Sequence, residues 1–346
     1  MRSAVVLVGL VAALALVGSG GATSTLDHAD PTWSLDGARI AYSVQGTAGG
    51  AIETVAADGS SVQRLFPIND NCCGTLQWGA DDRIVFEANY QLFSVSADGG
   101  KPTKLFGDTP WFILSPNGET AAVDYGCGCG HAPDAIAFVT VRGGQPVVVA
   151  KPKTMTDTID GFSPDGTLLV FSRQKFDPNG GPVPPPTLMA VHVGRSTPVP
   201  LTHSGLIGVT KLPKGATNVQ WSPDGNWIAF AGVGGLRVVS THSGTSRLIA
   251  KVPKYGSFAW SPTSKLLAYT TTPGYGRLVT VDTAGHRRIL WANASLHYVT
   301  NDSWNRPQWS PDGRKLVFMA LHGKGRPPAA QVWVVGADGT GLHQVG

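Results

Sequence analysis

Four cysteines form the most chemically specific pattern in the 346-residue sequence, because they occur as two tight pairs. Cys72 and Cys73 are adjacent, and Cys127 and Cys129 are separated by one residue. Neither spacing is the Cys-x2-Cys arrangement of zinc sites, so a metal centre completed by His131 is the weaker alternative. An even number of cysteines in an exported chain favours disulfides. We predict one or two bridges that join Cys72/Cys73 to Cys127/Cys129, with the connectivity left open.

Export is indicated by the first 22 residues, which have the layout of a secretory signal peptide. Arg2 supplies a positive charge, Ala4–Val17 is an apolar run, and the small residues Gly18–Ala22 precede the predicted cleavage site. The run is shorter than the ~20 residues of a membrane-spanning helix, and an uncleaved anchor is the alternative. We predict a signal peptide at 1–22, one mature domain at 23–346 without a membrane span, and a secreted, periplasmic or envelope location.

Histidines are the other candidate chemical groups, and His131, His203, His297 and His322 fall on one face by the register derived below. Around one cavity they could bind a metal ion or act as a base, but loop histidines are more often simply solvated. The sequence lacks the Gly-x-Ser-x-Gly, His-Glu-x-x-His and Gly-x-x-x-x-Gly-Lys motifs. We therefore predict no catalytic residues, no resident metal and no cofactor.

A candidate binding segment, Trp291–Asn305, combines aromatic rings with polar groups. Its candidate ligand-binding residues, with the arginine that follows, are Trp291, His297, Tyr298, Trp304 and Arg306. Aromatic side chains beside polar groups are typical of contacts to glycans and proteins. The alternative is that these rings simply cover the end of the fold.

All these residues must be positioned by a repeat that covers most of the chain. In its best copy, Thr217–Phe230, an apolar strand ends in Trp221, Ser222–Gly225 makes a turn, and an alternating strand follows. Proline presets φ in the turn, aspartate caps it, and glycine accepts its last position. Seven copies occur, and they begin at Trp33, Trp78, Leu114, Phe162, Trp221, Trp260 and Trp309.

A second hairpin follows each copy, as in Gln91–Val95, the Asp98–Gly99 turn and Thr103–Phe106. Four antiparallel strands per unit, repeated radially, are typical of a β-propeller blade. We therefore predict an all-β, seven-bladed β-propeller of four-stranded antiparallel blades, with a six-bladed ring as the alternative. The seventh unit supplies its own last strand, Leu342–Val345, and the N-terminal Thr25–Ala29 is a poor candidate to replace it.

Propeller geometry sorts the connections between strands onto two faces. The Ser-Pro-Asp-Gly and Asp-Gly turns share one face, here called the turn face. The longer loops within blades and the links between blades share the other, here called the loop face. Variable loops on a rigid scaffold usually carry binding residues, so we expect the cysteine pairs and the aromatic segment to serve binding there. The turn aspartates Asp36, Asp165, Asp224 and Asp312 recur because the turn needs them, and we do not expect them to be catalytic.

The Trp-Ser-Pro-Asp-Gly motif, followed by an apolar strand and a later Asp-Gly turn, resembles the repeat of TolB-type β-propellers. The resemblance covers nearly the whole chain after the first thirty residues. It implies a propeller fold and contacts to other proteins in envelope assemblies. TolB-type relatives usually have six blades and an additional N-terminal α/β domain, whereas this chain shows seven units and no such domain.

Composition narrows the function classes. Charged residues make up 14% of the chain, which with the balanced hydropathy excludes a disordered chain. The net charge of +4 gives no ground for a nucleic-acid partner. We predict a monomeric, non-catalytic module that binds a protein or an envelope polymer through the loop face. The alternative is a glycan-degrading enzyme of the polysaccharide-lyase type that uses loop-face histidines and arginines.

Overall fold

The computed structural model describes residues 27–46, 49–68, 75–107, 111–126, 134–177, 184, 187–201, 217–232, 234–251, 258–271, 277–292, 307–322 and 329–345. Among these residues, no helix has the length and apolar character needed to span a membrane. The predicted signal peptide lies outside the described residues.

Seven four-stranded sheets make up the fold, and in each sheet the strands follow one another in chain order. Every pairing is antiparallel, as in the first sheet. The first four blades contain β1 (Asp27–Trp33), β2 (Arg39–Gly46), β3 (Gly49–Ala56), β4 (Gln63–Ile68), β5 (Leu76–Gly79), β6 (Arg83–Ala88), β7 (Gln91–Ser96), β8 (Thr103–Gly107), β9 (Trp111–Leu114), β10 (Thr120–Tyr125), β11 (Ala135–Thr140), β12 (Val147–Val148), β13 (Met155–Phe162), β14 (Leu168–Lys175), β15 (Thr187–His192) and β16 (Val199–Pro200).

The last three blades contain β17 (Thr217–Trp221), β18 (Trp227–Gly232), β19 (Gly235–Ser240), β20 (Ser246–Ala250), β21 (Phe258–Trp260), β22 (Leu266–Thr270), β23 (Arg277–Asp282), β24 (Arg287–Ala292), β25 (Gln308–Trp309), β26 (Lys315–His322), β27 (Ala329–Gly336) and β28 (His343–Gln344). The seven sheets confirm the predicted seven-bladed propeller, and the six-bladed alternative is wrong.

The Ser-Pro-Asp-Gly motif forms the tight turn that its residues predict. In blade 4, the Gly166 N–H donates to the Ser163 carbonyl at 2.9 Å, and Gly166 adopts a φ of 69°. The Ser163 hydroxyl accepts from the Leu168 N–H at 2.9 Å and donates to Asp165 Oδ1 at 2.6 Å. Asp165 also accepts from the Thr167 N–H at 3.1 Å. The motif therefore satisfies its own polar groups, which frees it from any need for an outside partner.

Packing between the blades provides the core. Seven clusters of buried apolar residues exist, and each joins two consecutive blades. Between blades 5 and 6, for example, Leu236 and Ile249 pack with Phe258 and Tyr269. Because each sheet buries both faces against its neighbours, the seven sheets hold their connections on a common rigid body.

Closure of the ring uses the same packing without a borrowed strand. Trp33 and Tyr42 of blade 1 share a cluster with Val334 and Val345 of blade 7. β28 pairs with β27 within blade 7, and β1 pairs with β2 within blade 1. The prediction that the seventh blade supplies its own last strand is therefore confirmed.

Candidate functional site

The first strands of the blades form the inner wall of the ring, because β1, β5 and β9, and likewise β17, β21 and β25, contact one another in turn. At the turn-face end, residues of five blades line a cavity of about 500 Å3, here called the channel mouth. Its polar lining is Thr32, Gln77, Gln220 and Gln308, and its rings are Trp78, Trp260 and Trp309, together with Pro223, Pro262 and Ala259.

Tryptophans of the repeat tie the inner strands together at this mouth. The Trp260 indole N–H donates to the Gln220 carbonyl at 3.3 Å, and Trp309 donates to the Ala259 carbonyl at 3.1 Å. Across the ring closure, Trp33 donates to the Gln308 carbonyl at 3.3 Å. Each bond joins one blade to the preceding one, so the motif tryptophan both buries its ring and satisfies its N–H.

Glutamine amides extend this cross-linking. Gln77 donates through Nε2 to the Phe112 carbonyl at 3.2 Å and accepts from the Leu114 N–H at 2.9 Å. Gln220 donates to the Phe258 carbonyl at 2.9 Å. The inner strands thereby keep amide side chains fixed at the channel surface.

Blade 2 departs from the repeat at the mouth. The Trp78 indole donates to Asp82 Oδ1 at 2.9 Å, and the Arg39 guanidinium lies 5.2 Å from the centroid of the Trp78 ring while pairing with Asp82. Asp81 and Asp82 both have positive φ, of 54° and 52°. In this degraded copy, a hydrogen bond to Asp82 and a cation–π contact with Arg39 hold the Trp78 ring, and Arg39 and Asp82 form an ion pair with each other. These contacts replace the regular turn.

The residues that line the channel mouth are all uncharged at neutral pH. Amides, a hydroxyl and indole rings on a rigid concave surface suit an uncharged polar ligand, such as the main chain of a peptide or the hydroxyls of a sugar. Among the described residues, no group of three or more His, Cys, Asp or Glu side chains is arranged to hold a metal ion.

A second unusual region lies where blades 3 and 4 meet, on the loop-face side. It is here called the charged cluster, and its members are Asp124, Asp134, Lys151, Asp157, Asp160 and Arg173. It is joined by main-chain bonds between the blades, including one from the Asp157 N–H to the Asp134 carbonyl at 3.2 Å.

The centre of the charged cluster is a buried ion pair. Arg173 donates through Nε and Nη2 to the two carboxylate oxygens of Asp157, both at 2.7 Å. The Asp157 side chain is 0% exposed and that of Arg173 is 12% exposed. A third donor contact runs from Arg173 to the Ala150 carbonyl at 2.9 Å. The two-pronged geometry fixes the guanidinium and compensates for the loss of water around the carboxylate.

Two neighbouring carboxyl groups lack such compensation. Asp124 Oδ1 and Asp134 Oδ1 are buried and have no hydrogen-bond partner. Burial raises the pKa of Asp124 well above its usual value; the Ile159 N–H opposes this shift, and the nearby carboxylates of Asp134, Asp160 and Asp157 reinforce it. The protonated form of Asp124 is therefore more favoured than that of an exposed aspartate.

Two further groups in the cluster have shifted protonation equilibria. Burial raises the pKa of Asp160 to about 7, although the Ser172 hydroxyl donates to it at 2.7 Å. Burial also lowers the pKa of Lys151, whose ammonium donates to the Met155 carbonyl at 3.0 Å. A carboxyl group with a pKa near 7 can accept or release a proton at neutral pH.

The predicted aromatic site is described only at Trp291, and there the structure corrects the sequence. Trp291 belongs to β24, not to the link after it, and a bulge between β23 and β24 turns both Leu290 and Trp291 toward blade 7. The Trp291 ring is 7% exposed and lies 5.4 Å from the Phe318 ring. Its principal contribution is therefore to packing, and a ligand could reach little of it.

The remaining candidates lie outside the described residues or have undescribed side chains, so their roles stay predictions. They are His297, Tyr298, Trp304 and Arg306 for ligand binding, Cys72, Cys73, Cys127 and Cys129 for disulfides, and the histidines His131, His203 and His322.

Sequence reasoning missed both regions described above, although each left a signal. Gln-Trp recurs at 77–78, 220–221 and 308–309, which marks a shared position on the inner strands. Asp124 and Asp160 each follow an apolar residue inside a strand. Burying a carboxylate there costs free energy, so its presence points to a role beyond packing.

Comparison with known proteins found no matching family model and no matching curated protein. Solved structures do match. The structure of oligogalacturonate lyase from Vibrio parahaemolyticus has a TM-score of 0.63 at 10% identity, over 89% of this chain and 90% of that chain. Hydrazine synthase from Kuenenia stuttgartiensis has a TM-score of 0.56 at 15% identity, over 92% of this chain and 98% of that chain.

TolB from Acinetobacter baumannii has a TM-score of 0.52 at 16% identity, over 73% of this chain, and the match spans 63% of that TolB. The chain thus covers less than two thirds of the TolB protein that it resembles. Proteins with three different functions share its architecture at these low identities. The similarities therefore establish a TolB-like β-propeller fold and nothing about activity.

Proposed function

We propose that this protein is an exported, non-catalytic binding module that holds a protein or an envelope polymer. The observation that carries the proposal is the channel mouth, where five blades present uncharged amides and indole rings around about 500 Å3. The loop face, with its predicted aromatic residues, is the second contact surface in this proposal. Export rests on the signal-peptide pattern of residues 1–22, and a periplasmic or envelope location suits the TolB-like fold.

The ligand that suits the mouth is an extended, uncharged chain segment. Gln77 and Gln220 use their amides in bonds between blades, which fixes the orientation of both side chains at the mouth. A preorganised surface loses little entropy when it binds, so a peptide main chain could add hydrogen bonds there without rearranging the ring. Because neither the ligand nor the mouth is charged in this proposal, binding should depend only weakly on salt, in contrast to binding at a charged surface.

A crosslinking experiment tests which face binds. The mature chain would carry a photoreactive amino acid at Gln308 in the mouth, or at Tyr298 on the predicted loop face, with Ser243 in an exposed turn as the control. Crosslinking to one envelope component from position 308, and its loss in a Gln220→Arg background, would support the mouth. Crosslinks from position 298 alone would move the site to the loop face, and equal labelling at all three positions would refute specific binding.

A second candidate function is acid–base cleavage of an acidic glycan, and the charged cluster favours it. Asp160 titrates near neutrality, Lys151 loses its proton more readily than usual, and Arg173 is a fixed cation. A carboxyl group that titrates near pH 7 could act as the base in proton abstraction next to a carboxylate. Incubation with polyuronates, with ultraviolet detection of an unsaturated product, tests it. Activity that disappears in both Asp160→Asn and Lys151→Met would establish it, and an inactive wild-type protein would dismiss it.

A further inference from the structure

The mild overall charge conceals a strong separation of charge around the ring. Residues 23–216, which form blades 1 to 4, contain 13 Lys and Arg against 18 Asp and Glu, a net charge of −5. Residues 217–346, which form blades 5 to 7, contain 13 Lys and Arg against 5 Asp and no Glu, a net charge of +8. A ring with this distribution presents one acidic arc and one basic arc, and the basic arc attracts anions.

Four arginines of the acidic arc and three on the outer strands of the basic arc have different kinds of partner, although Arg83 in the acidic arc bonds Ser94 and Arg314 in the basic arc pairs with Asp312. In the acidic arc, Arg39, Arg64, Arg142 and Arg173 each pair with a carboxylate. On the outer strands of the basic arc, arginines contact uncharged oxygens instead. Arg247 donates to the Thr283 carbonyl at 3.1 Å, Arg288 donates to the Asp338 carbonyl at 2.6 Å, and Arg287 bonds the Tyr269 hydroxyl.

These contacts hold the guanidinium groups in place without neutralising them. A guanidinium has five N–H donors in a rigid plane, and one bond to a carbonyl leaves donors that can grip a carboxylate in a two-pronged manner. In the adjoining turn of blade 6, the Asp282 carboxylate is already bonded by His286 Nδ1 at 2.8 Å and by the main chain of Ala284 and His286. Among the residues that the structure describes, no ion pair joins a carboxylate to Arg247 or Arg287, so the positive charge of these two arginines is available to a ligand.

Strand alternation places two of these arginines on the facing sides of blades 5 and 6. Arg247 of β20 reaches across to blade 6, and Arg287 of β24 bonds Tyr269, which belongs to the cluster between blades 5 and 6. Ile289 lies on the same side of β24 as Arg287 and is 51% exposed. We call this surface, formed by Arg247, Arg287 and Ile289 between the outer edges of blades 5 and 6, the basic groove.

We propose that the basic groove binds a carboxylate-bearing polysaccharide. Uronate residues present a carboxylate for each guanidinium and an apolar C–H face that can pack on Ile289, and their polymer repeats both features along its length. Nucleic acids would instead favour aromatic platforms for their bases, and the groove offers an aliphatic side chain. This site is separate from the channel mouth, and it adds an anionic glycan to the ligand proposed for the mouth.

Titration of the mature protein with alginate, a linear polyuronate, tests the proposal by calorimetry at low ionic strength. The double variant Arg247→Gln/Arg287→Gln should lose about tenfold or more in affinity, because it removes both guanidinium groups that would bond the uronate carboxylates. The matched control, Arg64→Gln/Arg142→Gln, removes the same charge from the acidic arc and should change affinity less than about twofold. Thermal unfolding verifies that both variants fold.

Three outcomes would overturn the proposal: no binding of alginate by the wild-type protein, an equal loss in the two double variants, or equally tight binding of duplex DNA. The Gln220→Arg variant separates this site from the channel mouth. It should bind alginate normally even though it loses the crosslink expected at the mouth. The two experiments can therefore refute one proposed binding site without refuting the other.

Discussion

Aspartates in two regions of the propeller experience opposite environments, although some are only five residues apart. Asp165 lies in the blade 4 turn, where bonds from the Ser163 hydroxyl, the Thr167 N–H and the Thr167 hydroxyl lower its pKa below the usual value. Asp160 lies in the strand just before that turn, where burial raises its pKa to about 7. The same pattern holds more widely, since the pKa is lowered at Asp36 and Asp312 and raised at Asp124.

The contrast shows how burial and local donors compete. At the turns, the carboxylate keeps its water and gains donors from its own motif, so the charged form is favoured. In the charged cluster, strands from two blades remove the water, and a single hydroxyl donor cannot compensate for that loss. The turn aspartates therefore stabilise the fold as anions. Burial makes the ionisation of Asp124 and Asp160 unfavourable, so these two residues reduce the stability of the fold. Carboxyl groups that reduce stability and lie together in one region of the fold are candidates for function.

The largest effect is expected from breaking the buried ion pair. Arg173→Ala would leave the Asp157 carboxylate inside the interface between blades 3 and 4 without its partner. Because an uncompensated buried charge is expensive, we expect the free energy of unfolding to fall by about 3–5 kcal/mol. Urea denaturation followed by tryptophan fluorescence would measure the change.

The matched control is Arg142→Ala, which removes the pair with Asp81 at the surface. The side chains of that pair are 62% and 49% exposed, so water screens the pair and the loss should be much smaller than that of Arg173→Ala. If the two variants lost similar amounts, the charged cluster would be no more buried in solution than the turns are.

The second prediction concerns the pH dependence of stability. Because the folded-state pKa of Asp160 is raised from 3.8 to about 7, the folded protein retains a proton between these values that the unfolded chain releases. Asp160 therefore makes the free energy of unfolding decrease as the pH rises from about 4 to about 7, by at most about 1.4 kcal/mol per unit. Asp124 acts in the same direction, and the turn aspartates act oppositely, losing their stabilisation as the pH falls below about 4.

Asp160→Asn removes one titrating group but keeps an acceptor for the Ser172 hydroxyl. Unfolding free energies from pH 4 to 8 should therefore decline less steeply in this variant than in the wild-type protein. The control is Asp165→Asn. It should leave the pH dependence of the unfolding free energy between pH 4 and 8 unchanged and weaken that dependence below pH 4. Parallel profiles for wild type and Asp160→Asn above pH 4 would show that Asp160 is ionised and well solvated in the folded state.

The two regions also differ in how far the sequence predicts them. The turns are local: Ser163 to Leu168 contain the donors and acceptors of the turn, so the motif and the two residues after it predicted both structure and role. Even the degraded copy at Trp78 was found from the strand after it, which the structure shows as β6. The charged cluster joins Asp124 of β10 to Asp157 of β13 across two sheets, and strand register alone does not say which strand faces reach the same interface. The burial of Trp291 depends likewise on a bulge that sequence periodicity does not show.

The smallest effect is expected from the turn itself, where Ser163→Ala removes one hydroxyl. That hydroxyl accepts from the Leu168 N–H and donates to Asp165, and Ser163 is 4% exposed, so water cannot easily replace it. We expect a loss of about 1–2 kcal/mol at neutral pH, because one main-chain donor is left without an acceptor. Since the same hydroxyl lowers the pKa of Asp165, part of this loss should disappear as the pH falls through the range in which Asp165 is protonated.

Ser243→Ala is the control, because Ser243 lies in an exposed turn where its hydroxyl donates to Thr245 Oγ1 at 3.0 Å and water can take its place. Its effect should stay within about 0.5 kcal/mol. A pH-independent deficit in Ser163→Ala would mean that the hydroxyl matters only as an acceptor. The aspartates of the turns would then stabilise the fold through their main-chain bonds, and the contrast with the charged cluster would depend on burial alone.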